Sequence, residues 1–595
     1  MTKGKGLILL FTQKAQTELL NRHENSLLLF LGIFIRMSEV YKKKERLMKN
    51  YPVKKNDVIE VEIVDLTHEG LGVAKVDHYP LFIENALPGE KLEIKVLKTG
   101  KSFGYGKVLT VLKSSEQRVP VKDENFTKVG ISPLQHLAYG AQLSFKTQQV
   151  ENVMQRVAKL PEVPVLPTIG MNDPWHYRNK AQIPVRKIDN QLQTGFFRKN
   201  SHDLIPMEHF YIQDLEIDAA IVKIRDIMRK YSVKPYNESD NTGNLRHIVV
   251  RRGYHTGEMM VVLITRTPKL FPISKIVPDI LEAIPEVVSI VQNVNPKRTN
   301  VIFGNETILL HGSEKNTDTI FDLKFEISAR SFYQVNPQQT EVMYQKVKEY
   351  AALTGNEIVV DAYCGIGTIG LTLAQDAKQV YGIEVIEEAV KDAENNAKLN
   401  NIENATFTAG LAEELLPKLV ENGLQPDVVV VDPPRKGLDG QLVNTLIETQ
   451  PERIVYVSCN PATLARDIAL LTEGGYEAKE IQPVDNFPQT THIETVALLS
   501  KLDVDKHINI EIELDELDLT SAESKATYAQ IKEYVWNKFQ LKVPTLYIAQ
   551  IKRKCGIELR EHYNKSKKEK QIIPQCTPEK EEAIMDALRH FKMIE

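Results

Sequence analysis

Four short segments in the second half of the chain hold residue types that can do covalent chemistry. Asp361 to Gly370 (DAYCGIGTIG) reads as a turn from a strand into a helix, where glycines let the backbone lie against a ligand at a helix N-terminus. Its D-x-x-x-G-x-G form departs from the dinucleotide pattern G-x-G-x-x-G. Glu384 ends the next strand, where an acid can accept both hydroxyls of a ribose. A glycine turn plus that acid suits S-adenosylmethionine; a nucleotide cofactor or a purely structural turn stays open on these residues alone. Asp432-Pro433-Pro434 follows an apolar strand as a stiff loop at the carboxyl edge of a sheet, so Asp432 is placed to face a cofactor and a planar target; a turn with a capping Asp is the plain alternative. Cys459, in Ser458-Cys459-Asn460-Pro461, sits near a helix N-terminus, where a thiolate is favoured. Cys364 reads as inert packing. Glu494 enters a late strand and would by default be a charged surface residue.

Together these groups suit one difficult reaction. Carbon 5 of uracil is too weak a nucleophile to attack a methyl sulfonium directly. Addition of a thiolate at carbon 6 turns the ring into an enolate and activates carbon 5. A base must then remove the carbon 5 proton so that the thiol can leave by elimination.

The elements that position these groups follow from patterning. From Asn356 the chain alternates strand and helix: strands at 358–363, 379–385, 427–432 and 453–459, helices at 387–400, 441–449 and 461–472. Continuous apolar strands with helical crossovers imply a parallel sheet covered on both faces. Between residues 53 and 113, about five short alternating strands with turns at Gly70, Gly72, Gly89 and Gly100 imply a small barrel. Residues 144–158 read as a helix, and 160–330 mix strands and helices, with strand runs at 248–251 and 260–265.

The whole chain has 595 residues, enough for about three to five domains. It is 42% apolar and 26% charged, which excludes wholesale disorder or a fibrous repeat. Its net charge is −4, but charge is segregated along the tail: residues 503–523 carry eight acids against one lysine, whereas 542–570 carry nine Lys or Arg against three Glu. Four cysteines (364, 459, 555, 576) and no C-x-x-C pair argue against a disulfide scaffold, a zinc site or an iron–sulfur cluster, and a reducing cytoplasm is expected. Ser26 to Ile35 is an apolar run too short for the roughly 20 residues that span a bilayer. No A-x-A-like cleavage site follows it. An appendage or an upstream translation start, with Met37 or Met48 the natural one, is expected for residues 1–50.

DAYCGIGTIGL, VDPPRKG, VSCNPATLARD and FPQTTHIETVALL closely resemble the motifs of the RNA (uracil-5-)-methyltransferase family, particularly its bacterial members acting on 23S ribosomal RNA. SFYQVNPQQTEVMY (331–344) and YRNKAQ (177–182) extend the resemblance, and residues 53–113 look like a TRAM domain. The resemblance implies Cys459 as nucleophile and Glu494 as proton acceptor. It implies an S-adenosylmethionine site built from Gln334, Tyr363, Glu384 and Asp432. It implies an α/β fold: a Rossmann-like S-adenosylmethionine-dependent methyltransferase domain at 341–500, preceded by an OB-like TRAM barrel at 51–113 and a mixed α/β central RNA-binding domain at 114–340. An acidic linker (501–525) and a basic helical module (526–595) lie outside it. Many relatives carry an iron–sulfur cluster with a C-G-G-C pair where this chain reads Val129-Gly130-Ile131-Ser132, so no cluster is expected. The expected partner is 23S ribosomal RNA, with no membrane and no stable protein partner, and a monomer. Rival readings are the T-loop uridine of transfer RNA and a non-catalytic RNA-binding or assembly protein. Lys98, Lys101, Phe103, Tyr105 and Lys107 in the barrel, and Arg178, Lys180, Arg198, Lys199, Arg246, Arg251 and Arg252 in the central domain, are candidates for RNA contact.

Overall fold

The computed structural model describes residues 52–269 and 272–502 and, in the tail, 528–539, 541, 543, 545–555, 557 and 578–594. The apolar run at 26–35, the acidic stretch 503–523 and most of the basic run 542–570 lie outside the described residues. The described residues up to Leu502 form one compact unit and those of the tail a second.

Alternation closes the first strands into a barrel. In β1 (Val58–Leu66), β2 (Gly72–Val76), β3 (Tyr79–Glu84), β4 (Lys91–Thr99) and β5 (Gly104–Lys113), every second side chain points inward, and Ile63, Ala74, Leu81, Ile83, Leu92 and Ile94 fill the interior. The strand order is β1-β2-β3-β5-β4. Gly104 and Gly106 leave room where a Cβ would strike Leu81 and Ile94.

The central sheet runs β12-β11-β10-β9-β6-β7-β8, from β6 (Lys180–Ile188), β7 (Gln191–Phe197), β8 (Leu204–Pro206), β9 (Leu245–Arg252), β10 (Met259–Thr265), β11 (Val287–Val294) and β12 (Glu306–Gly312). The helix Leu215–Lys230, capped by Asp214, covers one face with Ile217, Ile221, Ile224 and Met228. The other face carries only a small apolar cluster around Val249, Met260 and Val262.

After the hairpin β13 (Lys315–Ile320) and β14 (Leu323–Ser328) comes the last sheet: β15 (Ile358–Ala362), β16 (Gln379–Glu384), β17 (Ala405–Ala409), β18 (Val428–Val431), β19 (Arg453–Ser458), β20 (Tyr476–Val484) and β21 (Glu494–Lys501). Its order, β17-β16-β15-β18-β19-β21-β20, is parallel except for β21, which runs antiparallel to both neighbours. This is the helix-covered, largely parallel sheet expected from the alternation and the Rossmann-like arrangement implied by the resemblance, with helices at Glu387–Leu399, Gly440–Thr449 and Pro461–Glu473. Strands β17 and β20 and the helix Ala412–Glu421 are not expected from the sequence, whereas the helix Thr368–Ala374 follows the glycine turn as expected. Two stretches read as central instead pack with this sheet. The helix Tyr139–Val153 and the turn after it bury Val150, Met154 and Ala158 against Leu464, Ile468 and Leu471, and the hairpin buries Phe325 and Ile327 with Val359 and Val380. Their apolar faces match layers that lie far away in sequence.

In the tail, helices Tyr528–Phe539, Thr545–Lys554 and Pro578–His590 share a core of Ile531, Val535, Ile548, Ile551, Ile584 and Leu588.

Candidate active site

Strand order reverses between β15 and β18, because β16 and β17 extend the sheet one way and β18 and β19 the other. Ligands of open α/β sheets bind outside the carboxyl ends of the strands at such a point. The glycine turn leaves β15 there and Asp432 leaves β18 beside it.

The turn is held by the acid predicted to matter. Glu384 Oε2 accepts from the Gly365 N–H at 3.1 Å and Oε1 from the Ile386 N–H at 3.0 Å, which fixes the carboxylate and leaves a lone pair on each oxygen. Gly365 and Gly367 have φ of 56° and 84°, conformations that favour glycine, and Gly367 caps the helix Thr368–Ala374. Tyr363 adopts φ 71° without being glycine, so the turn stores strain at the site. Its backbone N–H reaches Ile383 O at 2.9 Å, while its ring packs into the core beside the sheet. The buried Tyr363 hydroxyl has no hydrogen-bond partner. Its acidic neighbours include Glu413, Asp439 and Asp467. Asp361 accepts from the Gly370 N–H at 2.7 Å, and burial with Asp432 and Glu384 nearby pushes its carboxyl up to about 8. Cys364 is buried against the Gly382 backbone, as packing requires.

Cys459 and Glu494 meet through register. β19 and β21 pair Ser458 with Thr495, so the next step places Cys459 opposite Glu494. The Thr495 hydroxyl donates to Ser458 O at 3.0 Å and locks that end of the ladder. Glu494 is not the exposed acid of the default reading: only 5% of it is accessible, and burial with Asp432 nearby raises its pKa well above the carboxylate range. Burial likewise pushes Asp432 up to about 7. The thiol differs from expectation. Burial, then Glu494 and Asp432, push Cys459 up to about 11, against a smaller opposing effect of Arg435. The helix that follows is capped by Asn460, whose side chain accepts from the Ala462 N–H at 3.2 Å, and its N-terminus does not overcome two neighbouring carboxyl groups.

Gln334 precedes the helix Pro337–Ala351, and its side chain accepts from Asn486 Nδ2 at 3.2 Å. Asn179 Nδ2 reaches its carbonyl at 3.4 Å. Asn486 belongs to the loop between β20 and β21, which leads into Glu494. Lys146 Nζ, fully buried, pairs with Asp485 at 2.5 Å and donates to Phe487 O at 3.1 Å, and the Tyr139 hydroxyl donates to Asp485 at 2.9 Å. These positioning residues escaped the sequence reading. Asp485-Asn486 stands just before the FPQTTHIE segment, and that adjacency was the one available signal.

A cavity of about 320 Å³ opens beside the turn, lined by Gly365, Ile366, Glu384, Ile386 and Phe332 among others. The acids Asp361, Glu384, Asp432 and Glu494 around one sheet edge suit a sulfonium cation, and the cavity reaches Glu384. The residues present therefore fit S-adenosylmethionine. Among the described residues, no cluster of His, Cys, Asp or Glu could hold a metal ion, and no helix is long and apolar enough to cross a membrane.

The sheet order, the glycine turn and the acid after β16 define an S-adenosylmethionine-dependent methyltransferase. Residues 315–502 match the tRNA (uracil-5-)-methyltransferase family and residues 52–109 the TRAM domain. Similar proteins include an uncharacterized RNA methyltransferase of Enterococcus faecalis, 98% identical over 454 residues (76% of this chain, 99% of that protein). Another, of Halalkalibacterium halodurans, is 54% identical over 448 residues (75% and 98%). Among solved structures, the Pyrococcus abyssi tRNA (uracil-54, C5)-methyltransferase in complex with S-adenosyl-L-homocysteine matches with a TM-score of 0.60 at 28% identity, over 74% of this chain and 99% of that one. The chain belongs to the tRNA (uracil-5-)-methyltransferase family of RNA methyltransferases.

Proposed function

We propose that this enzyme methylates carbon 5 of uridine in 23S ribosomal RNA through a covalent adduct between Cys459 Sγ and carbon 6 of the ring. The observation that carries the chemistry is the placement of Cys459 opposite Glu494 at the ends of paired strands, with Asp432 beside them. S-adenosylmethionine, when bound, supplies the electrophilic methyl group. Gln334, Glu384, Asp432 and the backbone at Tyr363 hold it and the target ring. Cys459 gives its proton to solvent and its sulfur adds to carbon 6, leaving an enolate that makes carbon 5 nucleophilic. After carbon 5 is methylated, Glu494, which burial keeps protonated in the free enzyme and which must first release that proton, removes the proton from carbon 5; the carbon 6–sulfur bond breaks and the thiolate returns. The target uridine is flipped out of the folded RNA to reach this edge.

RNA contact is supported by the barrel. Phe82, Phe103 and Tyr105 form a partly exposed aromatic cluster with ring centroids 5.4–6.0 Å apart; Lys98 on β4 pairs with Tyr105 on β5, and Lys107 lies on β5. The central arginines are a different matter. Arg246 donates to the carbonyls of Asn295, Lys297 and Thr299, Arg251 to those of Ser328 and Ser331, and Arg252 pairs with Asp214. They hold loops rather than offering themselves to phosphates.

Methylation of the T-loop uridine of transfer RNA is the second reading, favoured by the match to the Pyrococcus abyssi enzyme. That match covers 74% of this chain, more than residues 114–500 comprise, so the barrel does not by itself select the ribosomal substrate. The test offers unmodified 23S ribosomal RNA and transfer RNA separately with labelled methyl donor, then maps the labelled nucleotide by mass. Label in 5-methyluridine of the ribosomal RNA is the expected result. Label in transfer RNA keeps the chemistry and overturns the substrate, and no label in either overturns both.

A further inference from the structure

The open face of the central sheet has polar features that the reaction does not use, although the Lys180 ammonium lies 5.7 Å from the Phe303 ring centroid. Alternate residues of β6 point to this face, so Lys180, Gln182, Pro184 and Arg186 form a row roughly 20 Å long. The row begins next to Asn179, which touches the Gln334 carbonyl, and therefore leads away from the reaction centre.

Lys180 is half-buried and makes no ion pair among the described residues. Its strand partner is Arg251, and Arg178 lies two residues before it, yet the donors described above for Arg251 and the Nε of Arg178 go to backbone carbonyls. Burial, Arg251 and Arg178 all push the Lys180 ammonium down, to about 7, with no acid acting the other way. A confined cation without a counter-ion favours an anion from outside.

Further along the row lies a slot of about 360 Å³, large enough for one base. Gln182, Pro184, Phe197, His247 and Ile302 are among the residues that line it. Pro184 and His247 face each other across β6 and β9. Burial and the neighbouring arginines hold His247 neutral, and its Nδ1 is buried without a hydrogen-bond partner. A neutral imidazole and a primary amide offer both donors and acceptors to the edge of a base, and an aromatic ring offers a stacking surface. Arg186 also lines the slot, its guanidinium over one face of Phe197 at 5.0 Å and paired with Glu238 at 3.6 Å, which leaves the other face of the ring for a base.

We propose that this face is a second nucleotide subsite: Lys180 takes a phosphate of the substrate RNA, and the slot lined by Phe197 and Ile302 takes an unpaired base near the target uridine, its edge read by Gln182 and His247. The subsite rests on the reading of this enzyme as one acting on folded RNA.

The test uses the full chain and an RNA fragment that the wild-type enzyme methylates, with abasic nucleotides placed singly on either side of the target. Phe197→Ala should raise the Kd for the RNA on the order of tenfold, the loss of one stacked base. One abasic position should weaken wild-type binding equally and weaken Phe197→Ala no further, the non-additivity of partners in contact. Lys180→Gln should weaken binding and reduce the salt dependence by about one ion, and Lys180→Arg should restore both. Unchanged affinity for S-adenosylmethionine shows each variant to be folded, and Phe197→Leu, which keeps apolar volume but not the ring, should behave like Phe197→Ala. Wild-type RNA affinity in Phe197→Ala and Lys180→Gln, with methylation intact, would overturn the subsite alone. Additive penalties at every abasic position would do the same. Failure of the wild type to methylate any RNA would overturn the underlying reading and the subsite with it.

Discussion

Cys459 carries a proton at neutral pH in the free enzyme, because burial and two carboxyl groups oppose a second negative charge. Its thiolate fraction should rise about tenfold per pH unit up to about pH 11, so alkylation of Cys459, followed by peptide mapping, should accelerate on that slope from pH 7 to 10. A plateau below pH 9 would contradict the electrostatics of the site. Cys459→Ala should abolish methyl transfer while S-adenosylmethionine affinity stays within about twofold, since in the proposed mechanism the thiol adds to the ring and holds no cofactor. Glu494→Gln should separate the two halves of the reaction. Methyl transfer proceeds, but the enzyme–RNA adduct resolves at least about tenfold more slowly, within the usual range for loss of a general base. Denaturing gels that show no adduct in Glu494→Gln would remove Glu494 from that role.

At the scale of elements, the loop between β20 and β21 decides the geometry. It carries Asn486 to Gln334 and delivers Glu494 to its place opposite Cys459, and the buried Lys146–Asp485 pair anchors it to the helix Tyr139–Val153. Lys146→Met leaves Asp485 charged and buried with only the Tyr139 hydroxyl, a loss of about 3–5 kcal/mol. We expect a lower midpoint in thermal unfolding and a fall in turnover larger than the fall in S-adenosylmethionine affinity, because Glu384 and the glycine turn stand on other strands. Equal stability of Lys146→Met and the parent would show that the pair anchors nothing.

For the whole molecule, the buried acids give stability a pH dependence. Asp361 holds its proton up to about pH 8 in the folded chain but releases it near pH 4 when unfolded. Between those values the folded state binds more protons, so its contribution declines as pH rises. His247, held neutral down to about pH 3, acts with the opposite sign between there and its ordinary value near 6.5. Comparing Asp361→Asn with the parent isolates the first effect: the variant should gain on the parent from pH 5 to 8 and show little difference at pH 4. A gap in unfolding midpoint that does not change with pH would refute this. The division into two units gives a further expectation. A chain ending at Leu502 should keep cooperative unfolding and S-adenosylmethionine binding, both measurable by calorimetry, and loss of either would show that the tail supports the first unit.

Much of the catalytic sheet was legible in the sequence because its strands are continuous apolar runs of four to six residues between helices with clear caps, such as Asn460-Pro461 and Asp439-Gly440. Strand β17 and strand β20 were not, since ATFTA and YEAKEIQPV carry polar residues suited to an edge. Residue types and spacing alone determined the chemistry on offer: a thiol, two carboxyl groups and a glycine turn with an acid one strand later. Only the tertiary structure decided their charge states and their company. Whether Glu494 is exposed or buried depends on the register of β19 and β21. Whether Cys459 is a thiol or thiolate depends on carboxyl groups that fold to its side from far away in sequence. Whether an arginine meets RNA or a carbonyl depends on which loop packs over it. Periodicity and turn chemistry are local and can be read along a chain, whereas desolvation and Coulomb interactions act across space and have no local signature.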